Sequence, residues 1–256
     1  MSIELEKRGH VAIITIANPP ANTWTVASLT ALRDTVRALN EDKDIYSLIL
    51  TGQGEKFFSA GADLNQFASG DKGVAASVSR IFGEAFEALA TFRGVSIAAI
   101  NGYAMGGGLE AALACDLRVV EAQAVMALPE AKVGLLPCAG GTQNLAWLAG
   151  EGWAKRMILL GERVDAATAL QIGLAEEVVA KGQALEKALE LAAKVEQQSP
   201  VSVMHCKALI QSSRMRGPYQ VLPEERERFV MLFDSEDQKE GVTAFLEKRS
   251  PQWKNR

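Results

Sequence analysis

Residues 11–51 read VAIITIANPPANTWTVASLTALRDTVRALNEDKDIYSLILT, and three segments within them decide the fold class. Val11–Ile16 (VAIITI) and residues 46–51 (YSLILT) are short, β-branched and aliphatic runs flanked by polar or turn residues, which is the pattern of buried strands. Between them, residues 26–40 carry Leu29, Leu32, Val36 and Leu39 on one helical stripe. Strand, helix and strand in this order make a βαβ unit, whose crossover is right-handed. Outward from it the alternation continues: residues 71–92 read as a helix, Val95–Ile100 as a strand, Gly107–Ala114 as a short helix and residues 117–120 as a strand. The predicted class is α/β with a largely parallel sheet. After about residue 140 only helices are predicted, over 153–160, 165–171, 183–197, 201–213, 224–233 and 236–248. Their apolar stripes must pack on the α/β core or on another subunit.

Composition narrows the function. A chain of 256 residues with 48% hydrophobic and 23% charged residues buries a full core, and a net charge of −4 argues against a general nucleic-acid binder. The first nine residues carry Glu4, Glu6, Lys7 and Arg8, the pattern of neither a secretory signal nor a transit peptide, so a cytoplasmic location is expected. No apolar run approaches the roughly 18 residues of a membrane span; even residues 95–117 are interrupted by Asn101, Glu110 and Asp116. Cys115, Cys138 and Cys206 lack metal-ligand spacing, and only His10 and His205 could join them, so no metal site is expected.

Two glycine-containing segments carry the chemistry. In residues 57–64 (FFSAGADL), Gly61 permits a tight turn and Asp63 can cap a following one, which would leave amides near Ala62 pointing outward. The plainer reading is a loop with an N-cap. In residues 101–110 (NGYAMGGGLE), three consecutive glycines open a helix, where unpaired N–H groups and the positive end of the dipole welcome an anion. Neither the dinucleotide fingerprint nor the phosphate loop is matched, though phosphate cradling stays open. Glu110 shares a helix face with Gly107, on an otherwise apolar helix where a carboxylate is costly unless paired or used. Glu130 follows Pro129, which by itself is an ordinary helix start. Two glutamates beside a glycine-rich oxyanion site combine electrostatic stabilisation with paired acid and base groups.

FSAGADL, NGYAMGGGLEAALACDLRV, LPEAKVGLLPCAGGTQ and EGVTAFLEKR together resemble the successive signatures of the crotonase (enoyl-CoA hydratase/isomerase) family, over nearly the whole chain. The resemblance implies a spiral of repeated βαβ units over residues 1–195 and a helical trimerisation region over 196–256, assembled as a homo-oligomer, a trimer or a dimer of trimers. It implies the amides of Ala62 and Gly107 as the oxyanion hole and Glu110 and Glu130 as the catalytic pair. Ala60, Ala62 and Gly107 are implied to bind the acyl-CoA, with Asp63, Leu64 and Asn65 near its adenine and pantetheine and Phe245 and Lys248 reaching CoA of a neighbouring subunit. The CoA is part of the substrate, and no separate cofactor is implied.

The implied reaction is reversible syn addition of water to a trans-2-enoyl-CoA. Glu110 would deprotonate the water and Glu130 would protonate the α-carbon, with some sharing of these duties. The family also contains Δ3,Δ2-enoyl-CoA isomerases and other acyl-CoA chemistries, and a non-catalytic module binding CoA esters or RNA is a further alternative. Arg214, Arg216, Arg226 and Arg228 read as a Glu-interleaved helical face, not a nucleic-acid patch. The chain departs from the family at Cys138, where hydratases commonly have glycine; without an identifiable base it reads as pocket lining. A hydrolase triad is not supported, since no G-x-S-x-G segment occurs. Residues 66–80, together with helices the sequence does not place, are expected to form the acyl pocket wall; Trp24 is read as core, with a lining of the CoA cleft as the alternative.

Overall fold

A computed structural model describes residues 2–214 and 216–256, leaving Met1 of the amino-terminal reading outside. Ten strands are formed: β1 (Ile3–Arg8), β2 (Val11–Ile16), β3 (Ser47–Gly52), β4 (Phe57–Ser59), β5 (Val95–Ile100), β6 (Tyr103–Met105), β7 (Leu117–Glu121), β8 (Val125–Ala127), β9 (Val164–Asp165) and β10 (Glu177–Val179). They make two sheets, one ordered β1-β2-β3-β5-β7-β10 and the other β4-β6-β8-β9. All pairings are parallel except β1 with β2 and β8 with β9. Three times the chain runs up a strand of the larger sheet and turns a short corner into a strand of the smaller one: β3 into β4, β5 into β6, β7 into β8. Each winding therefore lays one strand in each sheet, which is the spiral.

Nine helices complete the described residues: α1 (Val26–Glu41), α2 (Lys72–Ala90), α3 (Gly107–Ala114), α4 (Gly141–Leu159), α5 (Ala166–Gln171), α6 (Ala184–Val195), α7 (Pro200–Ser212), α8 (Pro218–Met231) and α9 (Glu236–Glu247). The central strands read as unbroken apolar runs because both faces of their sheet are covered. On one face Ile14, Leu48, Leu50, Ala98 and Ile100 join the main core with Leu29, Leu32 and Val36 of α1 and Phe82 and Phe86 of α2. On the other, Val11, Ile13, Ile49, Ile97 and Val119 meet Ala184, Ala188 and Ala192, small residues spaced one turn apart that let α6 lie close against the sheet.

Beyond α6, Lys207 ties α7 to the core: its ammonium reaches Asp116 Oδ2 at 2.6 Å and donates to the carbonyls of Phe92 (2.6 Å) and Gly94 (3.0 Å). Arg228 pairs with Glu224 at 2.9 Å, as does Arg216 at 2.5 Å, so these two arginines are held on a salt-bridged surface. Among the described residues no helix is long and apolar enough to cross a membrane.

Several elements differ from expectation. Strands β4, β6 and β8 have three residues each, too few for a period to show, and β1 is an edge strand exposed at every position but Ile3. Helix α4 starts at Gly141, not at 153, because Gly150 (φ 81°, ψ 158°) kinks it and only the second half has a clean pattern. Pro223 lies within α8, which begins at Pro218 instead of 224. Helix α9 stops at Glu247; Lys248 adopts a left-handed conformation as its C-cap.

Candidate active site

The segment after β4 is held by Trp24. A single parallel bridge joins Trp24 to Ala62: the Trp24 N–H donates to Gly61 O (2.8 Å) and the Asp63 N–H donates to Trp24 O (3.0 Å). In such a bridge the flanking residues supply the bonds, so Ala62 turns its own N–H to the opposite edge. Trp24 is fully buried against Phe86, as its core reading requires. Asp63 caps a short 3-10 turn, Leu64–Phe67, accepting from the Asn65 N–H at 3.1 Å.

The second amide comes from α3. Gly107 is its first residue and has no intrahelical acceptor; among the described residues neither its N–H nor that of Ala62 donates a hydrogen bond. Two glycines permit the close approach. Gly61 sits at φ +89°, and a Cβ there would fall 2.6 Å from Met105 O and 3.1 Å from the Gly107 nitrogen. At Gly108 a Cβ would fall 2.2 Å from Ser59 O, so α3 can abut β4 only if this residue has no side chain.

Every residue of α3 is buried, and Glu110 retains only 2% exposure. Its Oε1 accepts from the Ala139 N–H (2.8 Å) and the Gly141 N–H (3.0 Å). Burial raises its pKa above the ordinary carboxylate value, while these two amides and that of Cys138 pull it back down. Glu130 opens a 3-10 turn, Glu130–Val133, and presents a different state. Both its carboxyl oxygens are buried without a hydrogen-bond partner among the described residues. Its pKa is pushed up to about 7 chiefly by burial, which its own backbone amide opposes and to which the Glu110 carboxylate adds a smaller rise.

These groups meet on one cavity of about 330 Å³, lined by Ala60, Ala62, Leu64, Gly107, Glu110 and Glu130 together with apolar side chains. Asp63 and Asn65 stay on the lip, hydrogen-bonded to each other at 2.9 Å, and do not line it. Phe245 and Lys248 are not brought to this cavity; Phe245 stands 83% exposed near the end of α9. Cys138 lines the cavity. Its thiol is pushed up to about 11 by burial and by the two carboxylates, so it is held protonated.

The part of the acyl-wall expectation that named residues 66–80 is narrowed by the cavity lining. Only Phe67 of that range lines the cavity, because the start of α2 faces solvent. Phe82, Met105, Val133, Leu135, Leu136, Lys132 and Arg163 complete the lining instead. Phe82 was readable only as part of the buried stripe of α2, and Arg163 carried no local signal.

Known proteins resemble this chain over nearly its whole length. The solved structure of Pseudomonas aeruginosa DspI is 67% identical, with a TM-score of 0.97 over 99% of this chain and 97% of that one. A 2,3-dehydroadipyl-CoA hydratase of Escherichia coli (strain K12) is 37% identical over 253 residues, 98% of each chain. A short-chain-enoyl-CoA hydratase of Clostridium acetobutylicum is 36% identical over 257 residues, covering 100% of this chain and 98% of that protein. Residues 6–256 match the sequence pattern described as enoyl-CoA hydratase/isomerase, and with full-length relatives at these identities the chain belongs to the enoyl-CoA hydratase/isomerase family.

Proposed function

We propose that this protein is an enoyl-CoA hydratase that adds water reversibly, in the syn sense, to a trans-2-enoyl-CoA to give a 3-hydroxyacyl-CoA. The observation that carries the reading is the pair of glutamates on one cavity with two unpaired main-chain amides. The amides of Ala62 and Gly107 would receive the thioester oxygen as negative charge builds on it. Each such donor contributes about 2.7–4 kcal/mol to the barrier. Glu110, whose carboxylate is favoured by two amides, is suited to orient and deprotonate the water. Glu130, with a pKa near neutrality, is suited to hold the proton destined for the α-carbon.

Relatives at 36–37% identity named as hydratases support the same reading. An isomerase needs one carboxylate to shuttle a proton, and the presence of two carboxylates in different protonation environments favours hydration. CoA enters with the substrate, past Leu64, Asp63 and Asn65. We place the protein in the cytoplasm as a homo-oligomer, with residues 1–195 as core and 196–256 as its assembly region. Phe229, Val230, Phe233, Phe245 and Leu246 are all more than half exposed in the single chain, which supports the assembly.

The test is loss of the conjugated-thioester absorbance of crotonyl-CoA, run beside a 3-enoyl-CoA. Hydration of the former by the wild type, with a fall in turnover on the order of 10²- to 10⁴-fold in Glu110→Gln and Glu130→Gln, is the expected result. Wild-type rates in both variants would refute the assignment.

A further inference from the structure

The reaction cavity is not closed by a thick wall. Beside it, between α2 and the segment entering α4, runs a solvent-open groove of about 640 Å³ bordered by Ser79, Arg80, Thr142 and Gln143. A smaller recess of about 150 Å³ reaches inward under Phe86 and Asn144. Leu136 borders the cavity and the groove, but Cys138 alone among the described residues borders all three spaces.

The backbone around Cys138 is fixed. Pro137 before it is buried, and the N–H of Ala139 after it is bound to Glu110 at 2.8 Å. Its side chain therefore cannot swing away from the junction by a loop movement that leaves Glu110 in place. Among the described residues no histidine stands ready to activate the thiol, since His10 is bonded to Asp44 O and His205 to Arg228, both off the cavity. What Cys138 contributes to the cavity is a compact, protonated, weakly polar volume.

We propose that Cys138 is the partition that sets the chain-length range of the acyl subsite. With the thioester at the amides of Ala62 and Gly107, an acyl chain running past Glu110 meets Cys138, which lines the same cavity and precedes Ala139, whose N–H binds Glu110 at 2.8 Å. A short chain is contained within the cavity, whereas a long one must displace the thiol to enter the polar-lipped groove. This inference rests on the acyl-CoA reading.

The experiment measures kcat/KM of wild type, Cys138→Gly, Cys138→Ala and Cys138→Leu on trans-2-enoyl-CoAs of 4, 8 and 12 carbons. Calorimetric Kd values for the matching saturated acyl-CoAs are measured alongside. One methylene in an apolar pocket is worth roughly 10- to 200-fold. Removing the partition should thus raise the 12-carbon to 4-carbon kcat/KM ratio by about tenfold in the Gly and Ala variants, and Leu should lower it by a similar factor. The Ala variant separates lost bulk from a loosened backbone. Ratios within twofold of wild type in all three variants, with unchanged thermal melts, would overturn the proposal. If no enoyl-CoA is turned over by wild type, the Kd series decides: a chain-length shift on substitution upholds the partition and rejects hydration, and an unshifted series rejects the partition.

Discussion

Oε1 of Glu110 accepts two backbone N–H groups, at 2.8 and 3.0 Å, whereas neither carboxyl oxygen of Glu130, on the same cavity, has a hydrogen-bond partner among the described residues. Burial raises the pKa of both chemically identical side chains, but only at Glu110 do backbone amides of other residues oppose the rise. Amides favour the anion at Glu110, and a dry, anion-facing environment favours the acid at Glu130.

The first consequence is a pH dependence. With Glu130 titrating at about 7, kcat/KM for hydration should be lost as pH rises through that value, since the proton donor is then ionised. Glu130→Gln should remove this limb from the pH profile. The stability contribution has the same sign: because the folded pKa lies above the unfolded value, the stabilisation is full below about pH 4.5 and is lost as pH climbs through about 7. Urea midpoints at pH 4.5 and 8, compared between wild type and Glu130→Gln, check this.

The second concerns stability against activity. Glu130→Leu exchanges an unpartnered buried carboxyl for an apolar side chain, and we expect a gain of about 1–2 kcal/mol while hydration is abolished. Glu110→Ala should do the reverse to stability, since it strands the buried amides of Ala139 and Gly141 at about 1–3 kcal/mol each. Chemical denaturation of both variants measures the contrast; equal effects of one sign would contradict it.

A third follows from the 2.2 Å between Ser59 O and the Cβ position of Gly108. Gly108→Ala must push the start of α3 away from β4 and carry the Gly107 amide with it. A fall of roughly 10²- to 10³-fold in kcat is expected, in line with the loss of one oxyanion donor. Steady-state kinetics on crotonyl-CoA, with melting curves to show the fold retained, test it.

A fourth addresses Trp24, which orients Ala62 through the backbone and fills the core through its side chain. Trp24→Ala should cost about 3–5 kcal/mol in unfolding free energy, as large aromatic truncations do. Trp24→Phe should recover most of that, which equilibrium denaturation will show.

Much of the fold was legible because burial imposes a period. β2, β5 and α3 fall where the sequence places them: the strands are covered on both faces and so are apolar throughout, and α3 is enclosed along its whole length. The smaller sheet was not legible, since Phe57–Ser59, Tyr103–Met105 and Val125–Ala127 are shorter than any window in which alternation can be recognised. The site divides in the same way. Ala62, Gly107, Glu110 and Glu130 sit in local motifs that carry their own turn and helix-start chemistry, and all four reach the cavity. Its wall is drawn from Phe82, Leu135, Leu136 and Arg163, which three-dimensional winding brings together. A side chain such as Phe82 has the same helical spacing whether it faces a neighbour or an empty space.

The segments that leave β4 and β6 have a bearing on how such a protein can change. Because the donors proposed to face the thioester oxygen are peptide N–H groups, at Ala62 beside the Trp24 bridge and at Gly107 on the first turn of α3, no replacement other than proline deletes one; the rest can only bend the chain that carries it. Selectivity, by contrast, is written in side chains from separate windings. Mutation can therefore redraw the range of accepted thioesters while the electrophile's cradle is inherited intact.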